Sequence, residues 1–269
     1  SGQGHADVED LPTKWSETEN VAWKGEIPGR GWSTPVIENG KIWLTTAVDK
    51  LASPADAARR QKTTTNSQPL RISESVSLRA VEIDLQSGEL LRDIEVLSQR
   101  NPQMIHRDNS YATPSPIIEN GRLYCHYGPS GVACLDVETG KVLWENRKLK
   151  VKHENGPGSS PILWNDLLII HCDGIDQQYI VALDKQTGNI AWKTRRTGKL
   201  HSNPQLRKSY ATSLIVDVGG ESQVISPSAD WIYGYDPSNG RELWKMNYGE
   251  LGFSNSARPI AGHGLIYTC

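Results

Sequence analysis

One stretch of ten residues, returning at a near-constant interval, constrains this chain more than anything else in it. Leu135-Asp136-Val137-Glu138-Thr139-Gly140-Lys141-Val142-Leu143-Trp144 recurs as Leu183-Asp184-Lys185-Gln186-Thr187-Gly188-Asn189-Ile190-Ala191-Trp192. It recurs again as Tyr235-Asp236-Pro237-Ser238-Asn239-Gly240-Arg241-Glu242-Leu243-Trp244. An earlier copy, Ile83-Asp84-Leu85-Gln86-Ser87-Gly88-Glu89-Leu90-Leu91-Arg92, has Arg where the others have Trp. Gly88, Gly140, Gly188 and Gly240 are separated by 52, 48 and 52 residues. A period of this size marks a repeat architecture.

Each copy reads as a β-hairpin. An apolar strand ends at Asp, whose carboxylate can accept the backbone N–H groups that follow. The Gly supplies a positive φ for a type I turn closed by a bulge. After the turn, alternation places Val142 with Trp144, and Ile190 with Trp192, on one face. Trp23, Trp144, Trp192 and Trp244 are then apolar wedges between units. A stacking platform for a sugar or cofactor is the other use of such a ring, but it would call for one Trp rather than one per repeat.

A second hairpin type alternates with the first. Its copies are Ser33-Thr34-Pro35-Val36-Ile37-Glu38-Asn39-Gly40-Lys41-Ile42-Trp43, then Ser115 to Tyr124, Ser160 to Ile169, a fourth from Thr212 with Gly219-Gly220 at its tip, and a fifth from Arg258 to Tyr267. Two hairpins per unit make four antiparallel strands in about 50 residues, which reads as a β-propeller blade. The expected class is therefore all-β, a propeller of Trp-docked blades with about 4.5 blades in this chain. The expected divisions are a lead-in segment at 1–20 and a propeller at 21–269. Within it fall a ring-closing strand at 21–27, blade one at 33–97 with an insertion at 49–76, and blades at 112–148, 158–196 and 211–248. A fifth begins at 257–269. The insertion opens on Ser53-Pro54, a helix cap. It reads as a decoration of the rim or, alternatively, as a lid or partner contact.

Composition narrows the partners. A formal net charge of −2 and the lack of a basic tract argue against nucleic acid. No apolar run approaches the ~18 residues of a membrane helix. The chain starts at Ser1-Gly2 without Met, which reads as a processed start from which an export signal was removed. Cys125 and Cys134 flank Gly128-Pro129-Ser130-Gly131. If that is a hairpin tip they face each other, and a cross-strand disulfide competes with a pair of buried thiols.

The A-x-D-x-x-T-G-x-x-x-W-like hairpin, clearest at Val181 to Trp192 and repeated in register over nearly all of 21–269, resembles the PQQ-like, quinoprotein-dehydrogenase-like β-propeller repeat family. The opening from Trp15 to Pro35 is similar to that of bacterial secreted members. The resemblance implies a ring of eight blades and a periplasmic or secreted protein. It implies two kinds of function: dehydrogenases holding pyrroloquinoline quinone and calcium, and members that bind protein or ligand without quinone. A propeller fold alone does not choose between them.

The loops entering each innermost strand should line the funnel at the ring axis. They carry Arg30 and Trp32; His106, Asn109 and Tyr111; His153 and Asn155; His201 and Asn203; and Asn255. These are the candidate ligand-binding residues, able to hydrogen-bond an anionic or polyhydroxylated ligand. The competing reading is that Asn and His cap turns and tie loops together. A metal bound by His106, His153 and His201 is disfavoured, because ligands contributed one per blade do not converge at ~2 Å on one ion. The quinoprotein reading lacks the adjacent Cys-Cys beside the quinone and an acidic calcium cluster, and no Gly-x-Ser-x-Gly elbow is present. The sequence thus favours a non-catalytic, exported propeller that binds a protein, peptide or glycan through its funnel face or rim. The alternatives are a PQQ- and calcium-dependent dehydrogenase or its degenerate relative, and the sensor ectodomain of a kinase-associated protein.

Overall fold

The computed structural model describes residues 11–249 and 252–269; the first half of the lead-in lies outside them. Four sheets of four antiparallel strands follow one another along the chain. The first contains β1 (Val36–Glu38), β2 (Lys41–Leu51), β4 (Ser73–Asp84) and β5 (Leu90–Arg100), and the second β7 (Ile117–Glu119), β8 (Arg122–His126), β9 (Val132–Asp136) and β10 (Val142–Asn146). The third holds β11 (Ile162–Trp164), β12 (Leu167–Asp173), β13 (Gln178–Asp184) and β14 (Ile190–Arg195), and the fourth β15 (Leu214–Val218), β16 (Glu221–Pro227), β17 (Trp231–Tyr235) and β18 (Glu242–Asn247). A fifth unit has two strands, β19 (Ile260–Gly262) and β20 (Leu265–Tyr267). The molecule is a β-propeller built of these blades.

The repeated turn is held as its chemistry requires. Asp84, Asp136, Asp184 and Asp236 each accept backbone N–H bonds from residues two or three ahead, at 2.7–3.0 Å. Gly188 closes its turn at φ 72°, where a side chain is strained. A Cβ there would also meet the Trp144 ring at 2.4 Å. The turn of each blade is thus the seat for the ring of the blade before. Trp144 Nε1 donates to Lys185 O at 3.1 Å, and Trp192 Nε1 to Pro237 O at 2.9 Å. Trp23 does the same to Leu85 O at 3.0 Å, although residues 21–27 form no strand. Arg92, the apparent exception, keeps the contact by other means: its guanidinium donates to Val137 O and, at 3.1 Å, to Glu138 O. Trp244 instead bonds Gln223 of its own blade at 2.8 Å.

The strand after each turn corrects one expectation. Val142 pairs with Leu135, and Trp144 with Cys134, across a bulge. The extra residue reverses the alternation, so Trp144 is buried and Val142 is exposed on the other side. The same shift separates Ile190 from Trp192.

Apolar side chains gather between blades rather than in one centre. Separate clusters fill the gaps from blade one to two, two to three, three to four, and four to five. The innermost strands are also tied hydroxyl to amide. Thr34 N–H donates to Ser115 Oγ (2.8 Å), Ser115 N–H to Ser160 Oγ (2.9 Å), and Ser160 N–H to Thr212 Oγ1 (3.0 Å). The Ser/Thr that opens each inner hairpin in the sequence is therefore a link to its neighbour.

Of the two alternatives for the cysteines, the structure has the buried thiols: Cys125 and Cys134 are free and buried. Tyr124, not Cys125, pairs with Cys134. The 3-10 turn at Gly128–Ser130 shifts the register by one, and a one-residue shift turns a side chain to the opposite face. Cys125 accordingly packs toward blade one and Cys134 toward blade three. Burial pushes both thiols, and that of Cys172, up to about 12.

Blade one has the long insertion, but β2 and β4 continue to pair as far as Leu51 and Ser73, so its span is 52–72 rather than 49–76. Helix α1 (Pro54–Gln61) starts as expected, with Ser53 Oγ accepting from Asp56 N at 3.2 Å. β3 (Leu70–Arg71) then pairs with β6 (Ile105–His106) in the loop before blade two. Arg60 donates to Ser73 O and Pro102 O. The insertion therefore leans over the loops of the funnel face and does not decorate the outer rim.

Candidate functional site

Four of the five loops expected at the ring axis, and the segment that follows the remaining one (His201 to Asn203), reach one open cleft of about 650 Å³. The first blade supplies Trp32, the second His106, Asp108 and Asn109, the third Asn155, the fourth Gln205 and Lys208, and the fifth Phe253 and Ser254. The insertion adds Thr65, Asn66, Ser67 and Gln68. Sequence reading missed these insertion residues and the Gln205–Lys208 pair, because nothing in a polar loop sequence reports that it folds inward.

Trp32 is 61 % exposed, yet it is firmly held. Its indole donates to Asp108 O at 3.0 Å and its backbone N–H to Ala112 O at 3.2 Å. The loop before it lies against β2 because Gly31 has no Cβ; one would come within 2.4 Å of Thr45 O. Phe253, 43 % exposed, is pinned from both sides. Gly252 O accepts from Asp230 N at 3.0 Å, and Ser254 N donates to Lys208 O at 2.7 Å.

Most of the candidate polar side chains are engaged in holding loops. Asn109 Nδ2 donates to Asn155 O (2.7 Å) and Pro157 O (3.3 Å), while its Oδ1 accepts from Ser110 N and Thr113 Oγ1. Asn155 Oδ1 accepts from Asn66 Nδ2 at 2.9 Å. Arg30 donates to Arg107 O at 2.9 Å. Asn203 caps a short 3-10 turn, Pro204–Arg207, and Asn255 Nδ2 donates to Ser228 O at 3.1 Å. Tyr111 is buried, with its hydroxyl donating to Gln103 O at 2.9 Å; burial pushes it up to about 12.

The three candidate histidines part company. His106 lines the cleft, with Nδ1 accepting from Asp108 N at 3.2 Å. His201 is exposed and accepts from Asn203 N. His153 is fully buried against Tyr210, with a centroid separation of 5.8 Å and no hydrogen-bond partner at either ring nitrogen. Burial, with His126 and His171 nearby, pulls it down to about 3.

Behind it lies a polar network that the sequence did not reveal. His126 and His171 hold the same strand position in successive blades, and each faces the next blade. His126 Nδ1 meets Ser159 O at 3.0 Å, and burial pulls this ring down to about 4. His171 Nδ1 lies 3.2 Å from Arg196 Nη2 and 3.3 Å from Ser226 Oγ. Guanidinium only donates, so Nδ1 is the acceptor and Nε2 carries the proton toward Asp173 Oδ2, 3.1 Å away. Burial lowers the pKa of His171, and Asp173 opposes that in part. Burial would raise the Asp173 carboxyl, but Arg196, with Nε at 3.2 Å, together with His171 and the Ser228 hydroxyl, outweighs it and holds the carboxyl below its usual range. Ser226, His171 and Asp173 mimic a hydrolytic triad in composition only. All three are buried, and Arg196 occupies the nitrogen a nucleophile would need.

The cleft offers a poor fit to quinone and calcium. Among the described residues no three His, Cys, Asp or Glu side chains converge in a way that could hold a metal ion. Asp108 is the one carboxylate in the lining, and the buried cysteines lie in the cores. No helix among the described residues is long and apolar enough to cross a membrane.

Comparison with solved structures returns the same architecture. BamB from Moraxella catarrhalis superposes with a TM-score of 0.50 at 17 % identity, over 75 % of this chain and 55 % of that one. A europium-containing methanol dehydrogenase gives a TM-score of 0.51 at 12 % identity, over 79 % of this chain and 41 % of that one. The chain thus spans about half the length of these proteins. No curated protein sequence matches it. A sequence-family profile described as outer membrane protein assembly factor BamB matches residues 6–194, well over half of the chain. With its Asp-turn and Trp-docked blades, the chain belongs to that family of PQQ-like β-propellers.

Proposed function

We propose that this is a non-catalytic, exported propeller that binds a protein partner through its rim. The observation that carries the reading is a repeated apolar track outside the funnel. Directly after the turn glycine, Leu90 and Leu91, Val142 and Leu143, and Ile190 are exposed in three successive blades. Isolated exposed aliphatics are ordinary on a protein surface, but the same positions exposed blade after blade form a continuous candidate for a partner to cover. Two further points support it. The family's description is that of an assembly factor. Most of the candidate funnel side chains are occupied in tying loops, and among the described residues no three His, Cys, Asp or Glu side chains converge to hold a metal ion.

Export accords with the outer-membrane setting named for the family. The docking of Trp23 on the turn of blade one supports its assignment to a neighbouring blade of a larger ring, eight blades being the expectation.

The test places a photo-crosslinking residue at Leu143 in the full natural protein, in its own cells. A discrete protein adduct that is lost when Leu91 and Ile190 are changed to Glu is the expected result. The reading fails if no adduct forms while pyrroloquinoline quinone with calcium gives a saturable thermal shift and a quinone spectral change.

A further inference from the structure

We infer that the funnel cleft is a saccharide-binding site, distinct from the protein-binding rim. The chemistry of its lining carries the inference. Among the described residues, the lining contains no Ala, Val, Leu, Ile or Met. Its only large apolar surfaces are two aromatic rings, Trp32 from the first blade and Phe253 from the fifth. Both are held open to solvent on anchored loops. Both rings are exposed although the loops that carry them are fixed by hydrogen bonds. A flat apolar ring fixed at the edge of a polar cleft suits the C–H face of a sugar.

Much of the rest of the surface is made of groups that both donate and accept. Gln68 presents an amide and Thr65, Ser67 and Ser254 present hydroxyls, while Asn66, Asn155 and Gln205 are tied to neighbouring loops through their amides. Sugar hydroxyls likewise donate and accept together. Two other ligand classes fit less well. A peptide segment would look for aliphatic pockets or a free strand edge, and the cleft has no aliphatic side chain. A simple anion would look for an unbalanced cation. Lys208 is buried, but its Nζ donates to Gln205 Oε1 at 2.8 Å, and Gln205 Nε2 donates in turn to Glu154 Oε2 at 3.2 Å. Glu154, which acts on Lys208 electrostatically, and Asp108 in the lining offset the lysine charge. At about 650 Å³ it lies within the roughly 300–1,000 Å³ typical of small-ligand sites, large enough for a short oligosaccharide.

The inference rests on the non-catalytic reading but not on the rim partner. Its test is calorimetric titration of the full natural chain with three tetrasaccharides: a neutral glucan, an N-acetylglucosamine oligomer and a galacturonate oligomer. At least one should bind with a dissociation constant of about 1 mM or tighter. Trp32→Ala and Phe253→Ala should each weaken it by about tenfold, while Trp15→Ala, on an exposed ring away from the cleft, leaves it unchanged. Melting curves for each variant establish that the fold is kept. Absence of binding by all three sugars overturns the inference, as does binding that survives both cleft substitutions. If the Leu143 crosslink forms but no sugar binds, only the saccharide site falls. If quinone with calcium occupies the cleft, both readings fall.

Discussion

Mild acid should unfold this protein through histidines rather than carboxylates. His126 and His153 are fully buried and neutral, with pKa values pulled down to about 4 and about 3; His171 shifts the same way. An unfolded histidine titrates near 6.5. The unfolded chain therefore takes up protons that the folded chain refuses. Stability is complete above about pH 6.5 and falls as the pH drops below it. Each unit below 6.5 removes about 1.4 kcal/mol per histidine, so at pH 5 His126 and His153 together remove about 4 kcal/mol. That is a large part of the roughly 5–15 kcal/mol that holds an ordinary domain. The depressed carboxylates, Asp173 and the turn aspartates among them, lose their contribution only below their unfolded pKa of about 3.9, so they do not act in this window. Urea unfolding at pH 7, 6 and 5 measures the slope. His153→Leu, which fills the same space without a titrating group, should reduce the loss between pH 7 and 5 by about 2 kcal/mol. A wild-type protein equally stable at pH 7 and 5, or a His153→Leu variant with the full slope, would refute the argument.

Three further outcomes follow from the blade contacts. Trp192→Ala removes a buried ring and its bond to Pro237 O, and should cost about 3–5 kcal/mol in urea unfolding. Gly188→Ala forces a Cβ onto the Trp144 ring at a left-handed backbone position; it should lower stability by about 1–3 kcal/mol. Cys125, Cys134 and Cys172 should resist a thiol reagent in the native state and react on unfolding, whereas exposed Cys269 reacts at once; a disulfide-linked Cys125–Cys134 peptide in a non-reduced digest would contradict this.

The architecture was legible because its signals are repeated and local. Asp, Gly and Trp at fixed offsets specify a turn, its positive φ and the wedge that the turn receives, and each depends only on residues close in sequence. What the sequence could not disclose depended on register. A bulge of one residue moved Val142 to the face opposite Trp144, and a three-residue turn in place of a two-residue tip separated Cys125 from Cys134. Both are single-residue differences in turn geometry, and both reverse every conclusion about facing side chains. The candidate funnel loops were picked on a topological ground, as the segments entering each innermost strand, and four of the five line the cleft. Their roles were harder to read because an Asn that holds a neighbouring loop and an Asn that meets a ligand have the same sequence signature. His126 and His171 were missed because a histidine within an apolar strand gives no sign of what faces it.

Arg92 shows what the repeat constrains. Gly140, beneath it, meets Ile94 and Arg92 where the other turn glycines meet a Trp ring. The guanidinium lies 5.1 Å from the Trp43 ring, pairs with Glu82 and reaches the same turn carbonyls that an indole N–H would reach. The position therefore requires a long side chain that delivers an N–H to the next blade, and aromatic character is one way to supply its bulk. A propeller that supplies this donor at the joints made by Trp23, Arg92, Trp144 and Trp192 can leave its remaining surface free to vary. That freedom is where function has room to differ within one fold: aliphatic at the rim, where Leu90, Val142 and Ile190 recur, and aromatic with amides at the funnel, where Trp32 and Phe253 stand open. One surface exposes aliphatic side chains in three successive blades, and the other offers two rings with amides and hydroxyls within a cleft. Such different surfaces on one scaffold call for different occupants, which is why the rim and the funnel are assigned separately.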